Sequence, residues 1–409
     1  MCRIRIFVVL AVLIALASPA YSSICDVDER PAATLLVPYF EVSPGLPASV
    51  NTLLSIQNAE ATPVLANLVV WTDVGIPVLG FPFALNGYDV YTLDLASILA
   101  TGKIPPSIGS NHPSCNGFFP LGDIPAQALQ RVRDSLTGKP LPPALGNNLC
   151  EGLTLPTRPN NPHGFVTIDV VGECTLHFPT DVQYFVAGGQ GVALNRNALW
   201  GTTFFVDNTA SLAHAMPMVH IEADAKAKET EYRPNPTPQK PPNYTFYSRL
   251  VEWTARDNRE PLATDFGIRF YIGPLFGATE LFVWRDSKNR PRAFSCPPQP
   301  RPSAANLGQG RITAFNEEGV SHVYPPRRTL PFQVMAQRVK VNGSSLVVPP
   351  KIGGYGWLFF NLNHSQGDAQ VPAEYTGTAQ AWVFAIANSI GPPPYTGAWN
   401  AIRYDSACR

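Results

Sequence analysis

Short apolar runs, several with polar residues at every second position, recur along the first part of the chain between turn-forming residues. Thr34–Val42, Thr52–Asn58, Pro63–Thr72, Pro77–Leu85 and Tyr88–Leu95 each fit a β-strand. Their spacing of roughly 10–15 residues is the cadence of a β-sandwich. Asp73 and Gly75 fall between two such runs, where a hairpin turn needs residues that accept unusual backbone angles. The pattern returns at Thr202–Asp207, Met218–Ala223, Tyr247–Thr254, Phe266–Ile272, Glu280–Arg285, Arg311–Phe315, Phe332–Val341, Trp357–Leu362 and Gln380–Asn388. One segment keeps a helical period instead. Asp123 is suited to cap it, Pro125 falls in its first turn, and Ile124, Ala128, Leu129, Val132 and Leu136 repeat on one face before Gly138.

Composition sharpens this picture. The chain has 42 Pro and 31 Gly, yet 45% of it is hydrophobic, enough to build a core. Pro ends helices and is excluded from central strands, so it marks many loops between short strands. Two Pro-rich stretches, Pro234–Pro242 and Pro297–Pro302, fit extended polyproline loops. T-L-L-S-I-Q-N at 52–58 is echoed by T-T-F-F-V-D-N at 202–208, and V-W-T-D at 70–73 by V-W-R-D at 283–286. The echo predicts two related domains dividing near residue 190, after Gly188. The first covers 21–190 with an insertion at about 100–160 around the helix, and the second covers 191–409.

The N-terminus carries Arg3 and Arg5, then an uncharged apolar run from Ile6 through Ala17, then Ser18-Pro19-Ala20. These are the parts of a cleavable signal peptide over residues 1–20, with the cut before Tyr21. The run is short of the roughly 20 apolar residues that a membrane span requires, and no later stretch is long and apolar enough to be one. Cys25 follows Ser23-Ile24 rather than the small residue that precedes a lipidated cysteine. The expected location is secreted, periplasmic or in the cell envelope. Lys+Arg and Asp+Glu each number 30, so the chain has no net field to hold a polyphosphate, and nucleic acid is not an expected partner.

Cys2 leaves with the signal. Cys25, Cys115, Cys150, Cys174, Cys296 and Cys408 remain, an even number that reads as three disulfides in an exported protein. Proximity favours Cys115 with Cys150, Cys25 with Cys174 and Cys296 with Cys408. No C-x-x-C spacing points to zinc or redox chemistry.

The segments L-L-V-P-Y-F-E-V (35–42), T-L-L-S-I-Q-N (52–58), W-T-D-V-G-I-P (71–77) and G-Y-D-V-Y-T-L-D-L (87–95) resemble a set of uncharacterised secreted bacterial proteins with an N-terminal β-sandwich segment. The resemblance implies an exported bacterial protein with an immunoglobulin-like start. It implies no activity and carries over no catalytic residue. With the strand pattern it predicts an all-β protein: tandem immunoglobulin-like β-sandwiches with Pro-rich loops and one short helical insertion.

The chain has no G-x-S-x-G elbow, H-E-x-x-H, phosphate-binding G-x-x-x-x-G-K-[ST] or EF-hand loop. The best metal-ligand pattern is H-I-E-A-D. In a strand alternate residues point to one face, so His220, Glu222 and Asp224 are expected to line up about 7 Å apart, with His214 nearby in sequence. A solvated strand face explains the same pattern, so no metal and no cofactor are expected. Asp26, Asp28 and Glu29 beside Cys25 read as an exposed acidic N-terminus. Trp357 and Trp382 sit inside apolar strands and read as core. Tyr395 and Trp399 follow a Pro-rich stretch and are the expected contact surface. The expected function is that of an extracytoplasmic structural, adhesive or binding protein without catalytic activity, its ligand on a cell surface or a glycan. The alternatives are a secreted hydrolase with its site between the two domains, or a carbohydrate-binding protein using exposed aromatics.

Overall fold

The computed structural model describes residues 30–107, 112–116, 122–139, 152–155, 158–181, 183–185, 191–223, 259–260, 262–273, 277–286, 307, 310–326, 334–343, 346–362, 380–388 and 396–404. In chain order the strands are β1 (Thr34–Glu41), β2 (Val50–Asn58), β3 (Val64–Thr72), β4 (Pro77–Leu85), β5 (Val90–Asp94), β6 (His163–Val171), β7 (Leu199–Asp207), β8 (Leu212–Pro217) and β9 (Val219–Ile221). They continue with β10 (Asp265–Gly273), β11 (Gly277–Asp286), β12 (Arg311–Phe315), β13 (Ser321–Tyr324), β14 (Val334–Lys340), β15 (Tyr355–Asn361), β16 (Gln380–Asn388), β17 (Thr396–Asn400) and β18 (Ile402–Arg403). Two α-helices lie among the described residues, α1 (Leu95–Thr101) and α2 (Ala126–Leu136). The fold is predominantly β, in several antiparallel sheets.

One sheet has the order β5-β2-β7-β8 and a second β4-β3-β6-β1-β9. The remaining strands form a nine-stranded sheet that turns at the β10–β11 hairpin, where only Ile272↔Ala278 and Gly273↔Gly277 pair. One arm is β13-β12-β15-β10 with β18, and the other is β11 with β14, β16 and β17. Apolar clusters show how these surfaces stack. Leu35, Val37, Leu54, Ile56, Leu68, Val166 and Ile168 lie between the first two sheets. Phe266, Ile268, Leu281, Val283, Leu358 and Val383 lie between the two arms. Leu36, Tyr39, Trp71, Phe165, Phe282, Trp284 and Phe384 join the second sheet to the β11 arm. The result is four β layers with three apolar seams.

The layering explains two kinds of strand sequence. β6 is buried at every position, because its alternate residues enter different seams. Such a strand reads as nearly continuous apolar sequence. In the outer sheet β2 alternates buried and half-buried residues, the signature of a strand with one covered face.

Several expectations change. The echoed segments 52–58 and 202–208 are not equivalents in separate domains: β2 and β7 are adjacent antiparallel strands, Thr52 opposite Phe205. β9 likewise pairs with β1. The division expected near residue 190 therefore cuts through two sheets, and strand pairing instead changes partners between Ile221 and Asp265. The helical insertion is preceded by a second helix, α1, whose N-cap Asp94 accepts a hydrogen bond from Ser97 N–H at 3.0 Å and whose Gly102 takes φ 78° at the C-terminal end. Asp123 does not cap α2, which begins after Pro125. Gly138 stops α2 as expected: Gly138 N–H reaches the Ser135 carbonyl and Lys139 N–H the Asp134 carbonyl, closing a Schellman motif.

Cysteine pairing also changes. Cys115 bonds to Cys174, with Cα atoms 4.9 Å apart, so neither Cys115–Cys150 nor Cys25–Cys174 forms. A short 3₁₀ turn at Pro113–Cys115 packs beside the chain leaving β6, where Ser114 Oγ accepts from Cys174 N–H at 2.9 Å. Tertiary proximity therefore outweighs closeness in sequence. Cys25, Cys150, Cys296 and Cys408 lie outside the described residues, as do the expected strand 247–254, residues 1–20 and the acidic residues 26, 28 and 29.

Candidate functional site

A dense polar cluster among the described residues lies where the second sheet meets the β11 arm. Glu41 is the last residue of β1 and is 0% exposed. Its carboxylate accepts from Tyr39 OH at 3.0 Å, Arg158 Nη1 at 3.2 Å, Asn161 Nδ2 at 2.8 Å and Arg338 Nη1 at 3.0 Å. Arg158 also donates to Asp207 Oδ2 at 2.6 Å, and Arg338 Nε to Glu280 Oε2 at 2.8 Å. The cluster alternates charge along the row Asp207–Arg158–Glu41–Arg338–Glu280. Each buried charge thus gains a partner to offset its lost hydration.

The titration behaviour follows from these contacts. Burial opposes ionisation of Asp207, but hydrogen bonds from Thr209, Arg158 and the Ala210 N–H outweigh it and hold the carboxyl below its usual range. Burial pulls down the proton affinity of Arg158 and Arg338, and their carboxylate neighbours more than restore it. Burial, then the Glu41 charge, push the Tyr39 phenol well above its ordinary value.

Beside this row lies a second pair. His163 is paired across strands with Glu41 and is 1% exposed. Its Nε2 sits 3.2 Å from Asp73 Oδ2 and its Nδ1 2.9 Å from the Asn161 carbonyl. Next to the cluster an open cleft of about 450 Å³ is lined by Ser43, Ser49, Arg158, Asn160, Asn161 and Thr209 among others. The Arg158 side chain, 22% exposed, is the part of the cluster that meets solvent there.

The expected metal ligands are not gathered. β9 ends at Ile221, so the strand alternation that would align Glu222 and Asp224 with His220 stops. His220 Nδ1 lies 2.7 Å from the Arg30 carbonyl, which fixes the proton there, and Nε2 then accepts from Gly201 N–H at 3.2 Å. The lone pair a metal would use already has a partner. Glu222 is buried and its backbone pairs with Glu260, Asp224 lies outside the described residues, and His214 sits on β8 in the other sheet. Among the described residues no three His, Cys, Asp or Glu side chains are placed to hold a metal.

Tyr395 lies outside the described residues. Trp399, expected as exposed surface, is half-buried on β17 against the seam between the two arms, edge-on to Tyr271 at 5.9 Å. One exposed aromatic surface lies elsewhere, along the outer face of β15 and just past the end of β18. Tyr355 is 57% and Tyr404 53% exposed, flanking half-buried Trp357 and Phe359. Arg269 covers Trp357 at 5.1 Å and pairs with Glu317 at 2.6 Å, while Tyr404 leans on Phe359 at 4.9 Å. Trp357, expected in the core, thus points outward, as its alternation with buried Leu358 requires.

Sequence reading missed the polar cluster. Three of its members, Tyr39, Glu41 and Asp73, lie within the segments that carry the resemblance, and a Glu inside L-L-V-P-Y-F-E-V was the available signal. Compared with known proteins, the chain matches no family model, no curated protein and no solved structure.

Proposed function

We propose that the chain is an exported, extracytoplasmic binding or structural protein without catalytic activity. The leader pattern of residues 1–20, the even cysteine count after it and the Cys115–Cys174 bond support export. Tandem immunoglobulin-like sandwiches, the finer reading of the four layers, belong to this proposal too.

The observation that carries the non-catalytic reading is how the cluster's acids and bases are engaged. Glu41 receives four donors, Asp207 is held as a carboxylate by its hydrogen bonds, and His163 has both nitrogens facing oxygens. A general base needs a lone pair aimed at substrate; here the carboxylate lone pairs are aimed at protein donors, and the ring nitrogens face protein oxygens. Purified protein assayed against ester, glycoside and peptide panels is expected to show no turnover. A turnover abolished by Glu41→Gln would overturn the reading in favour of a hydrolase.

The outer aromatic face favours a carbohydrate as the ligand. Tyr355 and Tyr404 offer flat rings with polar neighbours in Arg269 and Glu317, a surface suited to the C–H faces of sugar rings. Joint Tyr355→Ala and Tyr404→Ala substitution is expected to abolish retention on the polysaccharides that hold the wild type. Equal retention of both proteins, or none by the wild type across a glycan array, would remove the carbohydrate reading while leaving the non-catalytic one standing.

A further inference from the structure

We propose that His163 is a proton-dependent pin between the two halves of the molecule: as an imidazolium it holds the β3–β4 turn against strand β14, and losing its proton as pH rises loosens that contact. The geometry requires the charged ring. Both oxygens facing His163, the Asn161 carbonyl and the Asp73 carboxylate, can only accept hydrogen bonds. Only a ring protonated on both nitrogens donates to each. Either neutral tautomer would turn a lone pair toward an oxygen in a site almost closed to water.

Asp73 is the joint that this ring secures. Its Oδ2 receives His163, its Oδ1 accepts Leu153 N–H at 2.8 Å, and its backbone carbonyl accepts Ala336 N–H at 2.7 Å. One residue thus ties β6, the segment at 152–155 and β14. The other charged groups among the described residues nearby are already paired. Glu41, across the strand from His163, is held by Arg158 and Arg338, with Tyr39 donating to it, and Glu280 holds Arg338. On α2, Arg133 donates to the Leu99 and Ala100 carbonyls and Asp134 accepts from Gln130. The cation that Asp73 meets is therefore His163.

Burial by itself lowers the proton affinity of His163. The hydrogen bond and charge of Asp73, the Asn161 carbonyl and the more distant Glu41 outweigh it, and the pKa ends above the ordinary imidazole value. A group raised in the folded state contributes its full stabilisation below its unfolded pKa, about 6.5, and loses it as pH climbs through the folded pKa. The pin is firm in acid and weakens toward alkaline pH.

Nitrogen-labelled histidine in the full chain gives a direct reading. At pH 6.5, where a free imidazole is about half neutral, both His163 ring nitrogens are expected to be protonated. Amide exchange at Ala336 and Leu153, corrected for its intrinsic pH dependence, is expected to accelerate severalfold as the ring deprotonates and the joint opens more often. Asp73→Asn keeps the shape and removes the charge, so it should lower the His163 pKa while leaving the imidazole itself in place. A half-neutral or neutral ring at pH 6.5, or Ala336 exchange indifferent to the titration, would overturn the proposal.

Discussion

Glu41 shows how much one side chain can organise. It is fully buried, and its partners come from positions 117 and 297 residues away in sequence, Arg158 and Arg338. Removing one partner of a buried ion pair is costly because the other charge stays behind without compensation. Arg338→Met should therefore destabilise the protein by about 3–5 kcal/mol in urea unfolding. A midpoint within experimental error of the wild type would show that Arg158 alone satisfies Glu41. Gly164 makes a second residue-scale case. A Cβ there would lie 2.0 Å from the Trp71 carbonyl, so β6 approaches β3 more closely than any side chain permits. Gly164→Ala is expected to cost about 1–3 kcal/mol as overpacking, measured by the same unfolding experiment. The residue types were visible in the sequence; which of them meet was not, because a polar residue in a strand carries no mark of its distant partner.

At the scale of elements, periodicity made most strands visible. β2, β3, β4, β10, β11, β12 and β16 fall where the apolar runs place them. β6 went unread, since a strand buried on both faces lacks alternation. The strand pattern expected over Tyr88–Leu95 stops at the first residue of α1 and says nothing of the helix, although Asp94 and Gly102 are the cap residues that announce it. The Asp94 carboxylate also accepts from Asn51 at 2.9 Å, so Asp94→Ala is expected to cost about 1 kcal/mol and to fray α1 first, seen as faster amide exchange at Ser97. The Cys115–Cys174 bond closes a 59-residue separation. By chain-entropy arithmetic that is about 4 kcal/mol, mostly from restricting the unfolded chain. Peptide mapping without reduction should recover the 115–174 linked pair, and Cys115→Ser with Cys174→Ser should lower stability by that order. Recovery of a 115–150 pair would contradict the observed connection.

Across the whole molecule, the seam between the second sheet and the β11 arm decides how the protein behaves as a unit. Trp71 stacks on Phe165 at 5.5 Å, Phe165 meets Trp284 edge-on at 6.1 Å, and Phe282 stacks on Phe384 at 4.7 Å. Both tryptophans are 0% exposed. A shared core of this kind couples the two halves, so thermal unfolding followed by fluorescence and by far-UV circular dichroism should give coincident transitions. Trp284→Ala, expected to cost about 3–5 kcal/mol, should separate them into two steps. Two steps already present in the wild type would mean that the seam does not couple the layers.

The sequence by itself determined the β character, most strand positions and the stop of α2 at Gly138, together with the expectation of export. These follow from local rules: side chains alternate along a strand, Gly accepts a left-handed angle, and a leader is read as a linear string. Tertiary structure alone decided that the echoed segments 52–58 and 202–208 are neighbours in one sheet, that Cys174 rather than Cys150 meets Cys115, and that Trp357 faces out while Trp284 faces in. It also decided that Glu41, His163 and Asp73 share one buried site. The reason is physical: alternation says that a strand has two faces, but only the stacking of four layers assigns each face to a seam, to a polar cluster or to water.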